Sequence, residues 1–264
     1  MRIALAVEYD GSCFRGWQKQ PGGGTVQDAL QDALQQFATL PVNVVCAGRT
    51  DAGVHATGQV VHFDTPLDRA MHAWVRAANT FLPPAVAVRW AQKVADDFHA
   101  RSSAHSRHYR YLLLNRPYRT GVWQDRVGWY HHPLDLGRMQ AAARLLLGER
   151  DFSAFRAAEC QANSPVKSMH RAEIRRFGDL LVFDFEASAF LHHMVRNLVG
   201  SLVFVGQGKR PPEWISELLA ARDRRLAAPT FVAAGLYLVA VGYPPRWGLP
   251  AAGNAPFLPG IPGL

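Results

Sequence analysis

Lysine is scarce in this 264-residue chain: only Lys19, Lys93, Lys167 and Lys209 carry it, so 25 of the 29 cationic side chains are arginine. Acidic residues are fewer than basic ones, 21 against 29, leaving a formal charge of +8. That balance points to a polyanionic partner, nucleic acid before membrane, and arginine's flat fork suits phosphate and bases. A general preference for arginine codons would produce the same bias. Three cysteines, Cys13, Cys46 and Cys160, are too few and too scattered for a disulfide framework or a Cys-x-x-Cys metal site, which fits a reducing compartment. No run reaches the roughly 18 apolar residues of a membrane span. The segment Met1–Asp10 carries a charge inside its apolar run and no small-residue cleavage site, so a cytoplasmic protein off the membrane is expected. The glycines of Pro21–Gly24 are not followed by Gly-Lys-Ser/Thr, which excludes a phosphate loop and a nucleotide cofactor held by one.

What is present is a folded composition, 48% hydrophobic and 19% charged. Ile3, Leu5, Val7 and Tyr9 alternate with Arg2, Ala4, Ala6 and Glu8, the period of a half-buried strand. Asp10-Gly11 ends it, and Ser12 to Gln20 mixes aromatic, basic and amide groups, as an RNA-contacting loop or a plain mobile one. Thr25, with Asp28 three residues on, caps a helix whose stripe is Val26, Leu30, Ala33, Leu34 and Phe37. A second helix is predicted over 68–79 and a strand over 86–93. The first hundred residues thus read as an α/β unit.

The stretch of chemical interest joins two β-branched runs, Val42–Cys46 and Gln59–Phe63, by a long loop punctuated by Gly48, Gly53 and Gly58. Arg49, Thr50, Asp51 and His55 stand there, where a bland turn needs only Gly, Asn or Pro. An Asp beside an Arg at a strand-to-loop junction serves as nucleophile or general base, or else merely braces the turn.

Further on, Asp96–Arg101 reads as an irregular charged segment, and Tyr109 to Asn115 as a strand with Tyr109, Tyr111 and Leu113 on one face. Short strand character is predicted over 125–132, then a helix marked by Leu136, Met139, Ala143, Leu146 and Leu147 and closed by Gly148. Asp151–Arg156 looks like an exposed turn whose aromatics are either core or contact, and Met169–Arg176 with Leu180–Ala187 reads as a hairpin. The strongest helical stripe runs from Phe190 to Val203 and carries His192, His193, Arg196 and Asn197, with His192 and Arg196 four apart on one face. Adjacent histidines lack zinc-helix spacing, so no metal is expected. Arg196 in so apolar a helix wants an anion, and Asp51 is a candidate. Pro211-Pro212 opens a last helix, Gly235–Val241 is a buried strand, and the chain beyond is Pro/Gly-rich without a period.

Gly48-Arg49-Thr50-Asp51-Ala52-Gly53-Val54-His55-Ala56, Tyr109-Arg110-Tyr111, Phe190-Leu191-His192-His193-Met194-Val195-Arg196-Asn197 and Gly235-Leu236-Tyr237-Leu238-Val239 occur in this order, and together they resemble the tRNA pseudouridine synthase A family. Tyr9-Asp10-Gly11, Gly16-Trp17-Gln18, Asp97-Phe98-His99-Ala100-Arg101 and Asp151-Phe152-Ser153-Ala154-Phe155 are similar too. The likeness spans about Ile3 to Tyr243 and departs in the Pro21–Gly24 loop and the tail. It implies an isomerase converting uridine to pseudouridine at positions 38, 39 and 40 of the tRNA anticodon stem-loop, acting as a homodimer with no cofactor or metal. The fold implied is α/β (α+β): two similar halves with antiparallel-rich sheets, 1–105 carrying the Asp loop and 106–245 following, a catalytic cleft between them, and a tail over 246–264. By position Asp51 is the nucleophile, Tyr109 the base-stacking residue and Arg196 the cation paired with Asp51. Arg49 helps hold the extruded nucleotide, Leu236 lines the uracil pocket, and His192 and His193 contact substrate. Two other classes compete: a non-catalytic RNA-binding protein, and a hydrolase pairing Asp51 with Asp97 or Asp10.

Overall fold

The computed structural model describes residues 1–250 and forms two compact units, Met1–His105 together with the chain from Tyr237, and Ser106–Leu236. In the first unit β1 (Arg2–Tyr9) lies between β4 (Val86–Val94) and β3 (His55–Asp64), antiparallel to both. The outer edge of β3 is shared. At one end it pairs with β2 (Val45–Cys46), and at the other with β10 (Leu236–Gly242), which runs parallel to it in the register Tyr237 to His55. Gly58 lies between, where a Cβ would meet Val239 O at 2.2 Å. The alternating pattern of β1 describes a half-buried strand, yet Ala4 and Ala6 are buried along with Leu5 and Val7. Small residues line the second face because that face too is covered.

Helix α1 (Val26–Ala38) starts at the capping box anticipated for Thr25 and Asp28, each side chain bonding the other's backbone N–H. Helix α2 (Met71–Phe81) begins three residues later than its pattern suggests and runs to Phe81, burying Trp74 and Ala78 before Leu82-Pro83 ends it.

The second unit carries the antiparallel order β5 (Ser106–Asn115), β9 (Leu180–Ala187), β8 (Val166–Phe177) and β7 (Gly148–Asp151), with β6 (Gly128–Tyr130) parallel to β5. β8 and β9 form the anticipated hairpin, with Phe177 opposite Leu180 and Gly178 at φ +57°. Helices α3 (Leu136–Arg144), α4 (Met194–Gly206) and α5 (Trp214–Ala221) complete the unit; α3 stops before Leu146 and Leu147, and Gly148 opens β7 instead of closing the helix. The fold is mixed α/β with predominantly antiparallel strands, as the sequence suggested.

Three local expectations are corrected. The turn at Asp151–Arg156 is not exposed, and of the two readings of its aromatics the core one holds: Phe152 and Phe155 are fully buried. The chain does not stay in its second unit to 245, because β10 returns to pair with β3. The tail does not begin irregularly at 246, since Pro245–Trp247 is a 3-10 turn that buries Trp247 against Phe98, ring centres 5.2 Å apart. Residues 251–264 of that tail lie outside the described residues.

Candidate active site

The loop joining β2 to β3 spans residues 47–54, shorter than its sequence implies, because His55, Ala56 and Thr57 already belong to β3. Polar and backbone groups from elsewhere in the first unit grip it. The Gln59 amide donates to Gly48 O at 2.6 Å and accepts from Gly48 N at 3.3 Å. Tyr9 Oη and Thr50 Oγ1 are 2.8 Å apart, and Trp17 N donates to Thr50 O at 2.9 Å. Two glycines let backbone come against the loop. A Cβ on Gly11 would sit 2.0 Å from Val54 O, and one on Gly16, at φ +93°, would sit 2.9 Å from Thr50 O and 3.2 Å from Asp51 C. Asp51 is therefore half-buried on backbone fixed on both sides, with Arg49 exposed two residues before it.

His55 is not one of the loop's exposed groups. It is 2% exposed, accepts from Gly11 N at Nδ1 (3.1 Å), lies 3.2 Å from the Asp10 carboxylate and stacks on Tyr237 at 4.6 Å. Its work is to lock the Asp10-Gly11 turn against the start of β3. Trp17 likewise is no stacking platform for a base: at 1% exposure it packs on Tyr9, while Arg15 and Lys19 of the same segment face solvent. Aromatic character in that loop reads identically whether the ring points in or out, so sequence alone did not separate the two.

Within the second unit Tyr109 is buried on β5, opposite Phe185 of β9, with its ring edge-on to Phe190 at 5.1 Å. The stripe beginning at Phe190 does not make one helix. Helix α4 starts at Met194, His193 caps it at φ +61°, and His192 lies in the preceding turn, so the shared helical face of His192 and Arg196 does not exist. An αL residue breaks the 3.6 period that the apolar side chains alone imply. His192 is held through its backbone, its N donating to Cys160 Sγ and its O accepting from Ala157 N. Arg196 is half-buried and donates from Nε to Phe231 O at 2.8 Å, with Phe231 N returning to Arg196 O. The same segment continues through Val232 O and Ala234 O, which accept from Tyr111 Oη, to Gly235 at φ +93° and the buried Leu236. Arg196 and Leu236 are thus stitched to one stretch of chain.

An element that sequence inspection passed over lies beneath Tyr109. On the opposite face of the sheet Asp184, fully enclosed, accepts from Arg110 Nε (2.8 Å) and Nη2 (3.2 Å) and from Arg175 Nη2 (2.8 Å), and its Oδ1 lies 2.8 Å from His108 Nε2. Burial would raise this carboxyl, but His108, Arg110 and Arg175 hold it far below the ordinary carboxylate range. The signal was a lone acid inside Leu180-Leu181-Val182-Phe183-Asp184-Phe185.

A carboxylate on an over-determined loop, with an exposed guanidinium beside it, is chemically able to act as a nucleophile or general base. A family model described as tRNA pseudouridine synthase matches residues 5–101 and 142–244, and the chain belongs to that family of isomerases. It is 65% identical to tRNA pseudouridine synthase A of Dechloromonas aromatica over 99% of both chains. The proteins of that name from Burkholderia multivorans (57%, covering 97% of this chain and 96% of theirs) and Methylobacillus flagellatus (58%, 95% and 96%) are similar over almost as much.

Proposed function

We propose that this chain isomerises uridine to pseudouridine at positions 38, 39 and 40 in the anticodon stem-loop of tRNA, with Asp51 as nucleophile and without cofactor or metal, acting as a cytoplasmic homodimer. The observation that carries the proposal is the bracing of the Asp51 loop by Tyr9, Trp17 and Gln59, which holds one carboxylate in place ahead of substrate.

The reaction breaks the bond from uracil N1 to the sugar C1′, turns the ring in place, forms a bond from C5 to C1′ and passes the C5 proton to N1. Product and substrate have the same formula, so neither an oxidant nor a group donor enters. An Asp51 carboxylate can attack C1′, attack C6 of the ring or take a proton, and each route needs it ionised and aimed. In this proposal Arg196 supplies the balancing positive charge. Tyr109 stacks on the detached ring, Leu236 lines the uracil pocket, and His192 and His193 contact substrate. The uridine must first leave its stack, at a cost of a few kcal/mol, and Arg49 helps hold it out.

The test uses unmodified tRNA transcript tritiated at uracil C5, with no added metal or nucleotide. Wild type should release tritium while the base stays on the RNA. Asp51→Ala should release none yet bind the transcript with unchanged affinity. Equal loss of turnover and affinity in a folded Asp51→Ala would remove Asp51 from the chemistry.

A further inference from the structure

The segment from Asp96 to Ser103 has no regular structure, yet its backbone is held at nearly every residue. Arg2 Nη1 donates to Phe98 O at 2.8 Å. His62 Nδ1 accepts from Ala100 N at 3.1 Å, and Tyr243 Oη donates to Ala100 O at 2.6 Å. His99 Nδ1 accepts from Arg101 N and Ser102 N, and Ser103 Oγ accepts from His99 N. Phe98 is fully buried between Tyr243 and Trp247. A surface turn that only connects two strands needs no such investment.

The turn is also tied to the Asp51 loop. His62, which holds Ala100, stands opposite Val45 in β2, and Val61 stands opposite Cys46, the last residue before that loop. Consistent with this closeness, burial pushes the Cys46 thiol up to about 12, and the guanidinium groups of Arg49 and Arg101 both act on it in the opposing direction. Arg101 itself is exposed, and it is the one long side chain that the His99–Ser102 tip offers to solvent. The acids of the segment, Asp96 and Asp97, act electrostatically on Arg2.

We infer that Arg101 is a substrate-binding residue of the tRNA site, contacting backbone phosphate beside Arg49 from a turn whose backbone is fixed. The inference rests on the functional proposal above and adds a contact that the resemblance did not assign. Two exposed arginines on neighbouring turns of fixed backbone present the paired guanidinium groups that suit backbone phosphate.

Unmodified tRNA transcript would be titrated against wild type, Arg101→Gln, Arg101→Lys and Arg49→Gln at several salt concentrations, with thermal unfolding and tritium release measured on the same preparations. For Arg101→Gln we expect binding weakened about tenfold, the slope of log affinity against log salt reduced by about 0.7 to 0.9, and kcat near wild type at saturating tRNA. Arg101→Lys should restore the salt slope. Unchanged affinity, or weaker binding with an unchanged slope, overturns the inference, and a loss of thermal stability matching the loss of binding in both variants does so as well. Failure of the functional proposal is seen separately, as wild type that releases no tritium.

Discussion

His62 makes the first unit sensitive to acid in a defined window. The imidazole is 4% exposed and accepts from Ala100 N at Nδ1, so it must stay unprotonated there to hold the turn. Burial, then Arg2 and His99, press its pKa down from 6.5 to about 4, with Asp64 opposing. A histidine whose folded pKa lies below its unfolded value leaves stability intact above the unfolded pKa and removes it as pH falls between the two. At 1.36 kcal/mol per unit, the full loss below pH 4 is about 3 kcal/mol, of which about 1 kcal/mol has gone by pH 5.5. Urea unfolding followed by tryptophan fluorescence at pH 7.5, 6.5, 5.5 and 4.5 measures it, with His62→Asn as the comparison because its Oδ1 can take the place of Nδ1. The variant is less stable at pH 7.5 through lost packing, but the gap should narrow by about 1 kcal/mol at pH 5.5. Parallel pH profiles for the two proteins would refute the assignment.

Gly16→Ala forces a Cβ within 2.9 Å of Thr50 O at φ +93°. It should lower stability by about 1–3 kcal/mol and cut tritium release by far more than the folded fraction falls; normal turnover would show that the Asp51 loop tolerates displacement. Asp184→Asn leaves Arg110, a nearly buried cation, without its countercharge, and should cost about 3–5 kcal/mol in urea unfolding. A loss under 1 kcal/mol would mean that the two arginines and His108 do not depend on that carboxylate.

Much of this architecture was legible in the chain. Element types came through where period and caps agreed, as at Thr25–Asp28 and at the Phe177–Leu180 hairpin. Boundaries slipped where a single backbone angle decided them: an αL residue at His193 cut the helix short, and nothing in the apolar stripe announces it. Local sequence also hides direction. Trp17 and His55 carry groups that suit RNA, and both point inward to brace the Asp51 loop. The partners of that loop, Tyr9, Trp17 and Gln59, come from separate strands and turns, and only the folded chain puts them together.

The first unit is closed by β10, the last strand among the described residues. β3, which continues from the Asp51 loop, has Tyr237 and Leu238 beside His55 and Ala56, partners that leave the ribosome some 180 residues after it. Until then the start of β3 is an open edge, and His55 lacks the ring it stacks on. A chain stalled between β3 and β10 therefore contains every residue of the Asp51 loop and its braces, while the strand that follows the loop still lacks its parallel partner. Only a chain translated through β10 can complete the edge of β3 at His55 and Ala56, so that pairing forms after the second unit has been synthesised.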